Sequence, residues 1–188
     1  CGFDQGANAR GVLPPIGAFD PGHEYTVFTI AIRNAEFGMR NEHSTLRTPH
    51  SALKFSVLIC FEDVFPELAR RFVREGARLL LVITNDAWFG PTGAAYQHAQ
   101  ASTFRAVELR VPVIRAANTG WSGCIEPSGR WTARVRDLSG RELFVAGTAA
   151  CEPSAAAATT AYLRWGDWFA WLCTAVSLLA LGATRAKA

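Results

Sequence analysis

Cys60 closes the apolar run Phe55–Cys60 and is followed at once by Phe61, Glu62 and Asp63, with Pro66 and Glu67 opening the next segment. A thiol at the carboxyl end of a strand, facing the start of a helix, meets unpaired backbone N–H groups and the positive end of the helix dipole, both of which favour thiolate. The same N–H groups are placed to hold an oxyanion. A free cysteine in an apolar strand is ordinarily a buried structural residue, so the nucleophile reading rests on the segments downstream of Cys60. Glu62, so close to a buried thiol, needs partners of its own and reads as an active-site group; its plainer role is a first-turn acid that complements the helix dipole. Trp88 and Phe89 stand in the polar loop Asn85–Gly90. They would be core aromatics in a helix or strand, but at a strand end they can line the mouth of an apolar pocket.

The elements that must position these residues read as repeated strand and helix units. Residues 66–77 have proline at a helix start, Leu68, Ala69, Phe72 and Val73 at helical spacing, and Gly76 as a stop. Leu79–Thr84 is a continuous apolar run, as expected of a strand buried on both faces. Tyr96–Arg110 contains good helix formers and no Gly or Pro, and Val111–Ala117 is a further strand that ends in Asn118, Thr119 and Gly120. Three strands thus end in polar loops on one edge, and in layered α/β folds that edge is the usual place for a site. Upstream, Gly2–Gly22 reads as irregular loop, Tyr25–Ile32 alternates like a strand, and residues 33–54 hold polar turns and the return strand of a hairpin. Downstream, Pro127, Ser128 and Gly129 form turn chemistry between two short apolar segments.

The string Ile59 to Glu62, the group Phe65-Pro66-Glu67, the loop Asn85–Gly90, the pair Gln97-His98, the run Arg105–Glu108 and the run Arg115–Gly120 together resemble the catalytic half of apolipoprotein N-acyltransferases, the membrane-bound branch of the nitrilase (carbon–nitrogen hydrolase) superfamily. The resemblance runs from about Pro21 to the C-terminus and is strong from Phe55 to Gly129. It implies an α/β fold, a partial nitrilase-like α-β-β-α sandwich, and a Glu-Lys-Cys catalytic set. In that set glutamate is the general base, lysine supports the oxyanion and cysteine is acylated.

Only the cysteine carries over, onto Cys60. Of the chain's two lysines, Lys54 lies in or beside the nucleophile's own strand and Lys187 is in the C-terminal tail. In the family the matching Glu and Lys lie well upstream of the cysteine, so the expectation is a chain that begins inside the domain, with Cys1 incidental. Glu62 matches a family glutamate, while Phe61 replaces the more usual tyrosine and keeps the aromatic volume without the hydroxyl. Trp88 and Phe89 become candidates for the mouth of an acyl-chain pocket.

The chemistry implied is ping-pong acyl transfer: Cys60 takes an acyl chain from a phospholipid as a thioester and passes it to the N-terminal amine of a diacylglyceryl-cysteine apolipoprotein. The alternatives are a nitrilase-type amidase, in which water resolves the thioester, and a catalytically dead, membrane-tethered module that binds lipid or lipoprotein.

Composition narrows the partners. Of 188 residues, 49% are hydrophobic, and the formal charge of +3 is spread among interspersed acids without a basic stripe, which gives no support to nucleic-acid binding. The five cysteines, at 1, 60, 124, 151 and 173, show no zinc spacing, so neither a metal nor another cofactor is expected. An odd count leaves at least one free thiol, and pairing of Cys124 with Cys151 stays open. Residues 1–150 read as the C-terminal part of the catalytic domain, 151–164 as a small and polar linker, and 165–188 as a transmembrane helix with a cytoplasmic tail. The uncharged stretch Trp168–Thr184 would reach about 26 Å as a helix, near the lower limit for a bilayer core. Trp165, Trp168 and Trp171 cluster at one end like an interfacial belt, and Arg185 and Lys187 mark the other as cytoplasmic. The implied location is the bacterial inner membrane, with the catalytic part on the periplasmic side.

Overall fold

The computed structural model describes residues 24–32, 51–154 and 159–185. Cys1, the loop expected over Gly2–Gly22, the polar turns of 33–50 and Lys187 lie outside the described residues. Six strands form one sheet in the order β1 (Phe28–Ile32), β2 (Ser51–Ile59), β3 (Leu79–Asn85), β4 (Val113–Asn118), β5 (Gly123–Ile125) and β6 (Trp131–Arg134). The central strands β2, β3 and β4 are parallel, and the outer pairs are antiparallel. Parallel neighbours need crossovers, and these are α1 (Pro66–Arg74) between β2 and β3 and α2 (Ala94–Leu109) between β3 and β4. The helices and strands expected from Phe55 to Ala117 are present, with bounds that agree or differ by a few residues. Pro66 sits in the first turn of α1, where its missing N–H costs nothing. Residues 126–130 make the turn of the β5–β6 hairpin, in which Gly129 takes a positive φ of 85°.

The two-residue period of the strands divides the sheet into unlike faces. One carries Leu58, Leu80, Val82 and Val113, which pack with Ala69, Phe72 and Val73 of α1 and Ala106 and Leu109 of α2 into the core. The other carries Phe55, Val57, Ile59, Leu81, Ile83 and Ile114; Ile59 is 63% and Ile83 54% exposed. The described residues therefore make one sheet and one helical layer, which is half of the expected α-β-β-α sandwich. Leu79–Thr84, expected to be buried on both faces, forms most of β3, and Leu81 and Ile83 lie on the side left uncovered among the described residues.

Beyond the sheet, Cys124 and Cys151 are joined by a disulfide with Cα atoms 5.7 Å apart, and this closes the pairing that the sequence left open. Part of the stretch expected as a linker forms a short helix, α3 (Ala161–Trp165), seated on the domain. Thr160 caps it by accepting from the Leu163 N–H and donates to the Glu108 carbonyl. Arg70 of α1 donates to the carbonyls of Tyr162, Leu163 and Arg164 at 3.0–3.1 Å, satisfying the end of α3. Gly166, at φ 63°, then breaks the chain before α4 (Trp168–Arg185), an 18-residue helix. Helix formation in the expected stretch holds, but it starts after this break. Among the described residues no helix is long and apolar enough to cross a membrane, so the span expected over 165–188 is not shown.

Candidate active site

Cys60 does not face α1 directly. It is the first residue of a tight five-residue 3-10 turn, Cys60–Val64, inserted between β2 and α1. Its φ is 54°, in the left-handed region that a residue with a Cβ avoids. The thiol is free and half-buried. Directly after a parallel strand, this turn lifts one side chain out of the sheet and presents it at the carboxyl edge. Glu62 reaches back, and its Oε2 accepts the Ile59 N–H at 2.7 Å, so its carboxylate is engaged in shaping the turn. Phe61 is 41% exposed, with its ring against Phe65 and His98.

The neighbouring strand ends are built in the same way. β3 runs into a second 3-10 turn, Asp86–Phe89, where the Asn85 side chain accepts the Ala87 N–H and the Asn118 amide at the end of β4. Phe89 packs edge-on against His98, whereas Trp88 is 65% exposed. The two candidates therefore differ: Phe89 holds the underlying layer and Trp88 stands free at the surface. A groove of about 530 Å³ is lined by Pro91, Tyr96 and Gly140–Phe144 and includes neither Cys60, Trp88 nor Phe89. Lys54 lies six residues before Cys60 along β2, about 20 Å away at strand rise, and cannot support chemistry at the thiol.

Beneath the two turns lies a buried charged cluster; Asp86, His98 and Arg115 stood in the motifs that carry the resemblance, but neither their pairing nor Asp63 was read from the sequence. Asp63, from the Cys60 turn, accepts from His98 Nε2 at 3.0 Å, from Arg115 Nη1 at 2.8 Å and from the Ser102 hydroxyl. Asp86, from the second turn, is bonded to His98 Nδ1 at 2.8 Å and accepts from Arg115 Nη2 at 3.0 Å and Thr84 Oγ1 at 3.1 Å. Asp63, Asp86 and Arg115 are at most 1% exposed and His98 is 5% exposed. Burial opposes the charge on His98, but hydrogen bonds that it donates to the two carboxylates outweigh it and raise its pKa to about 9. Burial likewise opposes the charge on Asp86, and its bonds to His98 and Arg115 carry it below the ordinary carboxylate value. With His98 protonated, two carboxylates face two cations and the buried cluster is neutral. Arg105 adds bonds to the carbonyls of Asp63 and Val64 at 3.2 and 3.3 Å. Gly120 passes so close that a Cβ there would collide with the Asp86 carboxylate.

The signal for this cluster was present in the pattern. Ala95, His98, Ser102, Arg105 and Leu109 share one helical stripe, so three polar residues ride on the buried face of α2. Arg115 likewise alternates with apolar neighbours onto the buried face of β4. Buried positions of opposite charge on elements that converge at one edge predict pairing, because an unpaired buried charge is too costly.

The sequence profile of the carbon-nitrogen hydrolase family matches residues 19–150. The chain is 46% identical over 122 residues to an apolipoprotein N-acyltransferase of Geobacter metallireducens, covering 65% of this chain and 22% of the relative. It is 31% identical over 175 residues to an apolipoprotein N-acyltransferase of Thermotoga maritima, covering 93% of this chain and 30% of that protein. The chain thus spans less than a third of the length of these curated relatives. Among solved structures, Saccharomyces cerevisiae Nit3, a member of branch 10 of the nitrilase superfamily, aligns at 28% identity and a TM-score of 0.37 over 44% of this chain and 33% of that one.

Proposed function

The chain belongs to the carbon-nitrogen hydrolase family, and from that footing we propose that it carries the nucleophile of an apolipoprotein N-acyltransferase. The observation that carries the proposal is the left-handed turn at the end of β2, which sets Cys60 at the carboxyl edge of three parallel strands. The relatives named apolipoprotein N-acyltransferase support the substrate class.

In this reading the Cys60 thiolate attacks the carbonyl carbon of a phospholipid ester. The C–O bond breaks, the lysophospholipid oxygen takes a proton and leaves, and the acyl group remains as a thioester. The amine of a diacylglyceryl-cysteine then attacks the same carbonyl. The C–S bond breaks, the amine gives up a proton, and thiolate returns with the amide as product. Glu62 and Phe61 support the turn, and exposed Trp88 borders the path of the acyl chain. The general base and oxyanion lysine that the resemblance implies have no match among the described residues near Cys60.

Membrane attachment belongs to the same proposal. α4 exposes apolar side chains all round its surface, including Leu172, Val176, Leu179 and Leu181, and such a helix is stable only against lipid or protein. Exposed Trp165, at the end of α3, and Trp168, at the start of α4, suit a headgroup region. Attachment through α4 at the bacterial inner membrane, with the catalytic part outside the cytoplasm, would bring phospholipid and lipidated acceptor to Cys60. The uncovered sheet face with Ile59 and Ile83 would take the second sheet of the sandwich.

Incubating the whole protein with phospholipid and mapping adducts by mass spectrometry tests the proposal. An acyl thioester on Cys60, absent from Cys60→Ala, is expected, and a thioester on another residue would overturn the assignment. Loading of Cys60 from a carboxamide with release of ammonia, and resolution of that thioester by water, would identify an amidase.

A further inference from the structure

We infer that His98 is a positioning residue for acyl transfer: donating from both ring nitrogens, it clamps Asp63 to Asp86 and so holds the turn that presents Cys60. The inference rests on the reading of Cys60 as the acylated nucleophile, but it concerns the geometry beneath the thiol.

Carboxylates on both ring nitrogens fit an imidazolium, with Arg115 Nη2 also 3.1 Å from Nδ1. His98 Nε2 meets Asp63 Oδ1 at 3.0 Å and Nδ1 meets Asp86 Oδ1 at 2.8 Å, and a neutral ring donates from one nitrogen only. Loss of the proton would leave one carboxylate facing an acceptor and put an uncompensated negative charge in a buried cluster. Among the described residues no other buried base is placed to neutralise that charge. Facing the ring are Phe61 and Asp63 from the Cys60 turn, Asp86 and Phe89 from the turn after β3, and Arg115 from β4. Thr84 and Ser102 complete the carboxylates' shells, and Arg105 of the same helix bonds the backbone of the Cys60 turn.

The link to the thiol is short. Asp63 and Cys60 belong to one five-residue turn, and Cys60 holds a φ of 54°, which the surroundings must impose on a residue with a Cβ. Asp63 is fixed by three side chains and its carbonyl by Arg105, so the far end of the turn cannot relax while the cluster is intact. An apolar layer would pack these elements without burying four charges; a cluster in which both carboxylates, both ring nitrogens and both Arg115 Nη atoms are engaged, with Arg115 Nε left over, instead selects one geometry. His98 is thus the member whose proton decides whether the clamp is closed.

The test is the rate at which iodoacetamide alkylates Cys60 in the whole protein in detergent. It is followed by peptide mass spectrometry from pH 6 to 10 and normalised to the thiolate fraction. In the wild type this rate should be level up to about pH 8 and fall about tenfold as pH passes about 9, as expected for loss of one charge-assisted hydrogen bond. His98→Gln should show the low rate already at pH 7, with no step near 9 and with an unchanged far-ultraviolet circular dichroism spectrum. Its acyl-transfer kcat should drop by a similar factor at unchanged KM.

A His98→Gln protein that alkylates at the wild-type rate with the wild-type profile overturns the inference. If that variant does not fold, the wild-type profile decides alone, and a normalised rate that stays level through pH 9 overturns it. Because alkylation needs no acyl donor, failure to find a Cys60 thioester would sink the acyl-transfer reading while leaving this result readable.

Discussion

At the scale of single residues, the proposed site is a thiol in a disfavoured backbone conformation, set on a turn that buried charges hold. Removing one partner of such a cluster leaves another buried and unpaired, which typically costs about 3–5 kcal/mol. Arg115→Met should therefore lower the unfolding free energy by about that amount in urea titrations, because it strands both Asp63 and Asp86. A loss below about 1 kcal/mol would mean that the carboxylates find other donors or protonate freely. The cluster also gives stability a pH dependence with a defined sign. His98 titrates near 6.5 when unfolded and near 9 when folded, so its contribution is complete below about pH 6.5 and is lost as pH rises through 9. The shift corresponds to a stabilisation on the order of 3 kcal/mol. Tm measured from pH 6 to 10 should decline over that window in the wild type and decline less in His98→Gln. Asp86 acts in the opposite direction: its folded-state value lies below 3.8, and its contribution is lost as the solution is acidified past that range.

At the scale of elements, the carboxyl edge works because three parallel strands end in register and each end is tied to the next. Ile59 pairs with Ile83, and Asn85 pairs with Asn118, so the turns after β2 and β3 and the loop after β4 share one edge. The strands and helices that carry this edge were legible in the sequence, because apolar runs and helical stripes follow directly from what must be buried. Cys60 and Glu62 were legible as residues of interest from their place after an apolar run. The 3-10 turns were not legible, since a five-residue insertion between strand and helix has no periodicity to read. The charged cluster was missed because pairing of Asp63, Asp86, His98 and Arg115 depends on crossovers that bring four elements together. At the far side of α1, Arg70 satisfies the end of α3 and joins that helix to the domain. Arg70→Ala should raise hydrogen exchange at Leu163–Gly166 by about tenfold or more, while α1 itself stays protected. Unchanged protection would show that Thr160 and the packing of Tyr162 and Leu163 hold α3 without the guanidinium.

At the scale of the whole molecule, one layer of helices covers one face of the sheet, the other face is apolar and uncovered among the described residues, and α4 has an apolar surface. The attachment role of α4 can be read from Cys173, a free and exposed thiol on that helix. A polarity-sensitive dye on Cys173, in a Cys1→Ser, Cys60→Ser background, should shift to the blue when the whole protein is placed in phospholipid vesicles, and emission typical of water would contradict it. The central claim is transfer through a thioester at Cys60, and a single-turnover chase tests it most directly. The whole protein is loaded from radiolabelled phospholipid, freed of donor, and mixed with a diacylglyceryl-cysteine peptide. The account predicts that label leaves Cys60 at the rate at which N-acylated peptide appears, and that Cys60→Ala neither loads nor transfers. N-acylated peptide formed by Cys60→Ala, or label that stays on Cys60 while product accumulates, would contradict it.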